Sequence, residues 1–315
     1  MHPQPHEFEF AVICALPCEF NAFDALFDEH YTNLATKRHH GDSNFYQTGR
    51  IGALNVVLTC LSEMGKTRAA NAASGIRFSF PNVSLTLVVG ICGGVPFPTK
   101  DTEMVLGDVI ISDQVVKYDF GRQYPDRFEQ KGVVKSILDP RNEQVQSLLS
   151  GLQTRRMRDR FQEKHTGYLQ ALHRDPLWKY PGIDRDQLYS SSCQHNSSSE
   201  GCTGERIVRQ RLNTGLNPQP CLHFGAIASG DTVMKSAEYR DSLSRHANVI
   251  GFEMESAGTC EALSSLVIKG VCDYADSHKN KDWQGYAAAS AACCAKVFLE
   301  SLAEIQYQQW NRAND

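Results

Sequence analysis

Short apolar runs along the chain alternate with stretches whose apolar residues recur every three or four positions. Residues 8–16 form a run of the first kind and predict a buried strand. Residues 19–28 follow with Phe20, Phe23, Leu26 and Phe27 on one helical face. Strands are predicted again at 54–60, 85–89, 108–112, 223–228, 248–252 and 267–272. Helices are predicted at 65–78, 236–246, 256–264 and 286–305. Residues 90–94, Gly-Ile-Cys-Gly-Gly, read as a tight glycine turn after the strand 85–89. The alanine- and cysteine-rich stretch 287–295 has side chains small enough for close helix packing. Continuous apolar strands separated by helices predict an α/β fold, with a largely parallel sheet covered on both faces.

One stretch breaks the alternation. From 154 to 217 the chain turns polar, opening on Arg155, Arg156, Arg158 and Arg160 and carrying serines at 190–192 and 197–199. Its start predicts a charged, solvated helix; residues 174–204 predict a long loop or lid, partly disordered. Strand-like runs resume at 223. The expected organisation is therefore one domain over 1–315, with a polar insertion at 154–217 and no internal repeat.

Composition narrows the function classes. With 315 residues, 41% hydrophobic and 22% charged, the chain can bury a substantial core. Its formal net charge is -4, with acids and bases intermixed, so no basic face for nucleic acid is expected. Eleven cysteines, several inside apolar runs, fit a reducing, cytoplasmic setting better than a disulfide framework. The polar opening is not a secretion signal. No apolar run reaches the roughly 20 residues of a membrane span. Asn196-Ser197-Ser198 matches a glycosylation acceptor, which carries no weight in a cytoplasmic protein.

Ligands of open parallel sheets bind at the carboxyl ends of the strands. Glu19, the glycine segment 90–94, Ser229-Gly230-Asp231-Thr232, Glu253-Met254-Glu255 and Asp273 all stand just after predicted strands. Each has a plain alternative. The glycines fit a structural turn, and the acids fit helix starts, which favour negative charge. Two acids flanking Met254 are nevertheless unusual for a core, because Glu is rarely buried unpaired.

The segments 12–19, 89–94, 107–112, 227–231, 252–255 and 271–276 occur in one order. In that order the chain resembles the nucleoside phosphorylase and nucleosidase superfamily. It is most similar to the methylthioadenosine/adenosylhomocysteine nucleosidases and to the phosphorylase-like domains of fungal proteins. The resemblance covers nearly the whole chain except 154–217. It implies a three-layer fold with a central mixed, largely parallel β-sheet flanked by helices. It implies a purine nucleosidase that cleaves the base–ribose bond of a small-molecule purine nucleoside, without metal or cofactor, as a homodimer or larger assembly; 107–121 is a candidate contact.

The resemblance also implies roles. Asp273 is expected as the general acid on purine N7, held protonated by burial or by a neighbouring acid. An acid there, rather than an amide, points to 6-aminopurines such as adenosine. Glu255 is expected to hold the ribose 2′ and 3′ hydroxyls, since one carboxylate can accept from both members of a diol. Glu19 is expected as base on the attacking water. Met254 is expected under the sugar, or simply in the core. Val233 and Met234 are expected at the base, Met64 in the pocket wall, and Cys92 and Gly93 close to base or sugar. Packing is a better account of Cys92 than nucleophilic attack.

Two positions depart from the phosphorolytic pattern. Val88 and Ile91 stand where phosphate-binding relatives carry an Arg and a Ser or Thr, which favours hydrolysis. A phosphorylase would need its charge from elsewhere, such as Arg50 or Arg68. Lys269 stands where the nucleosidases carry an Arg; it keeps the charge but not the two-pronged geometry. The remaining alternative is a nucleoside-sensing domain of the same fold without strong catalysis.

Overall fold

The computed structural model describes residues 3–32, 39–131, 135–193, 204–213 and 218–314. Asn196 and most of the serine-rich part of the polar stretch lie outside the described residues. In chain order the elements are β1 (Phe10–Cys14), α1 (Pro17–Asp24), β2 (Glu29–His30), β3 (Tyr46–Ile51), β4 (Leu54–Cys60), α2 (Lys66–Ser79), β5 (Leu85–Gly94), β6 (Val109–Ser112) and β7 (Gln114–Lys117). A small hairpin, β8 (Gly121–Gln123) with β9 (Phe128–Gln130), precedes β10 (Lys135–Ser136), α3 (Glu143–Leu152) and α4 (Arg155–Leu172). The chain closes with β11 (Leu222–Phe224), β12 (Ala226–Ser229), α5 (Ala237–Ala247), β13 (Val249–Glu253), α6 (Ser256–Thr259), β14 (Ser265–Asp273) and α7 (Gln284–Asn314).

The central sheet is mixed and largely parallel, flanked by helices, as expected. Its axis is β5, which pairs in parallel with β1 on one side and β14 on the other. The last glycines of β5 also pair antiparallel with β13. Five buried residues in a row make β1 a strand with both faces covered, and this is why it reads as a continuous apolar run. Antiparallel pairs appear away from this axis: β3 folds back on β4, and β6 runs against β14. No helix of the described residues is long and apolar enough to cross a membrane.

The alanine- and cysteine-rich stretch lies in α7, and 287–295 is fully buried. A Cβ on Gly270 of β14 would come within 2.0 Å of the Ala287 carbonyl oxygen. The helix thus lies directly on the strand backbone, which only small residues on both partners permit.

Three expectations need correction. Residues 90–94 are not a turn: β5 runs straight through them, held by β14 and β13. Glycine stands there because a carboxylate packs against the strand; a Cβ on Gly90 would lie 2.3 Å from Glu19 Oε1. The helix expected over 256–264 ends at Thr259. The helix expected to be solvated, α4, buries Phe161, His165, Leu169 and Leu172, and the His165 ring bonds to the Ser290 carbonyl of α7 at 2.9 Å.

Candidate active site

The carboxyl ends of β1, β5, β13 and β14 meet around one cavity. Pro17 opens α1 at its first turn and brings Glu19 back over the end of β1. Glu19 Oε2 accepts from the backbone N–H groups of Ala15 at 2.7 Å and Leu16 at 2.9 Å. Its Oε1 accepts from Ile91 N–H at 2.8 Å, which ties β1 to β5. Burial pushes this carboxyl above its ordinary value, and nearby Glu255 adds to the rise. Lys269 and the backbone donors draw it partly back.

At the end of β13 the two acids divide. Glu253 turns back and accepts from Glu255 N–H and Ser256 N–H, each at 3.1 Å, so it caps the turn entering α6. Burial and the neighbouring Glu255 push its carboxyl up. Glu255 faces the cavity, and its Oε2 accepts from Lys269 Nζ at 3.0 Å. Lys269 Nζ also lies 3.6 Å from Glu253 Oε2. Lys269 is 1% exposed in mid-β14. Burial works against its charge, but Glu255, Glu19 and Glu253 outweigh that and raise its pKa. Three buried carboxylates thus share one ammonium group.

Asp273 ends β14. Its Oδ1 accepts from Ala275 N–H at 2.8 Å and lies 3.3 Å from Lys279 Nζ. The Cys272 thiol points to Oδ2 at 3.3 Å. Of the two expected features, burial or a neighbouring acid, burial is present, and the ionic partner of Asp273 is a cation, Lys279. Lys279 also donates to the Met234 carbonyl at 3.5 Å, bridging the two sides of the cavity.

The cavity holds about 210 Å³ and is lined by Glu19, Met64, Cys92, Gly93, Val233, Met234, Met254, Glu255 and Asp273. The remaining candidate, Lys269, lies beneath the floor, against Glu255. Met64 and Val233 are half exposed and form the rim, 50% and 47% accessible. Cys92 is buried, and burial pushes its thiol far up, so it packs rather than attacks. Gly93 brings backbone up to Asp273: a Cβ there would meet Asp273 Oδ1 at 2.8 Å.

Thr232 and Phe252, from two stretches the sequence singled out, also line the cavity, as do Lys279 and Gln284, which the sequence did not point to. Lys279 sits in a loop six residues after Asp273, where no periodicity places a side chain. Val88 is buried and Ile91 lines the wall. Arg50 and Arg68 do not line the cavity; they bond Glu29 at 3.2 Å and Glu63 at 3.1 Å. Among the described residues, no cluster of three or more His, Cys, Asp or Glu is arranged to hold a metal ion.

The burial of Glu19 has a pH consequence. The folded protein holds the Glu19 proton more tightly than the unfolded chain, so this contribution is full below the ordinary value of 4.5 and is lost as pH rises through the raised one. Glu19→Gln removes it. Denaturant unfolding from about pH 5 to about pH 8 should show the variant gaining on the wild type as pH rises. A stability difference constant across that range would exclude this titration.

Known proteins resemble the chain along nearly its whole length. The family model for the Phosphorylase superfamily matches residues 9–303. A nucleotide-binding leucine-rich repeat (NLR)-like protein of Hyaloscypha variabilis is 33% identical over 301 residues, 94% of this chain but only 29% of that protein. The chain therefore spans under a third of that relative. A 5′-methylthioadenosine/S-adenosylhomocysteine nucleosidase of Mycobacterium bovis is 24% identical over 92% of this chain and 95% of its own. Among solved structures, futalosine hydrolase of Helicobacter pylori superposes with a TM-score of 0.56 at 16% identity, covering 95% of this chain and 98% of that one. The Neisseria meningitidis 5′-methylthioadenosine/S-adenosylhomocysteine nucleosidase bound to methylthio-immucillin-A gives 0.56 at 17% identity, covering 93% and 98%. At these identities the superpositions establish the fold.

Proposed function

The chain belongs to the phosphorylase superfamily, and on that premise we propose that it is a purine nucleosidase, hydrolysing adenosine-type nucleosides to free base and ribose. The observation that carries this reading is the distribution of charge around one cavity. Glu19 and Glu255 lie toward β1 and β13, Asp273 lies at the end of β14, and the positions that would bind phosphate are apolar Val88 and Ile91.

In the proposed reaction the bond from C1′ to the base nitrogen breaks and its electron pair leaves with the base. Asp273 supplies a proton to N7, and the ammonium of Lys279 stands beside the developing negative charge. The ribose becomes positive at C1′, and the nearby carboxylates stabilise that charge. Glu255 accepts hydrogen bonds from the ribose diol, fixed in place by Lys269. Water attacks C1′ and gives its proton to Glu19, whose raised pKa makes it a stronger base than an ordinary carboxylate. Solvent then returns a proton to Asp273 and removes one from Glu19. Met234 and Val233 border the base, and Met254 lies under the sugar.

Adenosine, inosine and guanosine supplied in turn test the base preference. Chromatography should show adenine released at least tenfold faster than hypoxanthine or guanine, in line with discrimination by a hydrogen-bonding site. Equal rates, or a preference for 6-oxopurines, would overturn the adenosine assignment.

The half-exposed Met64 and Val233 on the rim fit cover by a second copy, so light scattering should give at least twice the chain mass of 35.1 kDa. A cytoplasmic site of action fits the buried thiols Cys14, Cys92, Cys272, Cys293 and Cys294, which form no disulfide. The length of the NLR-like relative favours a second reading, in which the domain reports nucleoside binding within a larger protein. That reading predicts a nucleoside-induced rise in melting temperature without cleavage.

A further inference from the structure

The polar stretch at 154–217 interrupts the alternation of strands and helices in the sequence, yet its described part reaches the residue that follows Asp273. Tyr274 is fully buried. Its hydroxyl donates to Asp186 Oδ1 at 2.6 Å, and Asp186 Oδ2 accepts from Leu106 N–H at 2.9 Å. The guanidinium of Arg209 lies over the Tyr274 ring, 5.0 Å from its centroid. Arg209 is itself fixed by Glu103 at 2.7 Å and by the Met104 carbonyl. On the backbone, Arg240 Nη1 donates to the Tyr274 carbonyl at 2.7 Å. Hydroxyl, ring and carbonyl of one residue are thus all held, and two of the three holders, Asp186 and Arg209, come from the polar stretch.

The turn that Tyr274 belongs to does not hold itself. The register between β14 and β5 slips between Val271 and Asp273. Ala275 has φ 52°, a left-handed conformation that alanine adopts at a cost. In that conformation its N–H meets Asp273 Oδ1. A disfavoured backbone geometry persists only where its surroundings over-determine it. A buried carboxylate such as Asp186 is likewise retained only where donors compensate it.

We propose that Asp186 is a positioning residue which, through the Tyr274 hydroxyl, holds the turn after β14 so that the Asp273 carboxyl faces the cavity, with Arg209 as the second arm of the same clamp. The inference rests on the reading of Asp273 as the group that meets the purine base. It makes the polar stretch part of the site's working geometry and not merely a cover.

Tyr274→Phe is the sharp variant. It removes one oxygen and leaves the ring beneath Arg209. In the full chain it should lower kcat on adenosine about tenfold with KM changed less than about threefold, as a small misplacement of a reacting group does. Asp186→Ala should act in the same direction, and Asp186→Asn, whose amide still reaches the hydroxyl, should recover most of the loss. If Asp186→Ala does not fold, Tyr274→Phe alone decides. In an Asp273→Ala background Tyr274→Phe should change turnover less than about twofold, because the two act through one group. A normal kcat in Tyr274→Phe, or an undiminished tenfold loss in that background, overturns the clamp. Adenine affinity by calorimetry separates the two readings, with about tenfold weaker binding expected in Tyr274→Phe. A wild-type protein that binds adenine but cleaves nothing ends the hydrolytic reading, and the clamp is then judged by adenine alone; unchanged affinity overturns it. A wild-type protein that binds no purine overturns both.

Discussion

Replacing Asp273 with alanine is expected to lower adenosine turnover on the order of 100-fold or more, the usual worth of a general acid–base step. Asp273→Asn should lose nearly as much, because an amide keeps the shape but has no comparable proton to give. The fold should tolerate both changes. Asp273 sits at the cavity wall, 9% exposed, and its ionic partner Lys279 has a side chain 23% exposed that can turn to water. Steady-state kinetics beside a melting curve decides the matter. A kcat within about threefold of wild type, in protein that melts normally, would remove Asp273 from the chemistry.

Lys269→Met should act mainly on stability. Lys269 is buried at the meeting point of Glu19, Glu253 and Glu255, and no other lysine or arginine is paired with those three carboxylates among the described residues. Removing the ammonium leaves their charges uncompensated, and breaking a buried pair in this way costs about 3–5 kcal/mol. The missing charge raises the pKa values of Glu19 and Glu253 further. The deficit is therefore largest at neutral pH, and it shrinks as pH falls toward the ordinary value of 4.5, where the acids bind protons and lose charge. Denaturant unfolding near pH 8 and near pH 5 measures this directly. A deficit that is small at the higher pH, or equal at both, would mean that Lys269 does not balance the acids. Lys269→Arg keeps the charge and should recover part of the loss.

The parts of this fold visible in the sequence are those whose physics is local. The strand over 54–60 is read to its last residue, because all of it but Asn55 and Cys60 is buried and apolar residues dominate the run. The ends of such strands then mark out Glu19, Glu255 and Asp273, and the structure brings them to one cavity. The strands β3 and β7, each one in from a margin of the sheet, are not legible, because polar residues such as half-buried Gln47 and exposed Gln114 interrupt their apolar positions. In α4 the helix is legible but its buried face of Phe161, His165, Leu169 and Leu172 is not, because four arginines in its first turns make it read as solvated. The glycines of β5 are misread for another reason. A glycine that makes a turn and a glycine that makes room look alike, and what needs the room is a carboxylate some seventy residues earlier, Glu19 beside Gly90. Lys279 folds back on Asp273 within the irregular loop that follows β14, and Asp186 meets Tyr274 from 88 residues away; neither contact follows a helix or strand period, so no local pattern encodes them.

The proposed hydrolysis is tested most directly by the products of adenosine cleavage with and without inorganic phosphate, with base and sugar identified by chromatography. Water as nucleophile predicts adenine and free ribose in phosphate-free buffer, at a rate that added phosphate does not raise. Adenine that appears only when phosphate is present, together with ribose 1-phosphate, would contradict it.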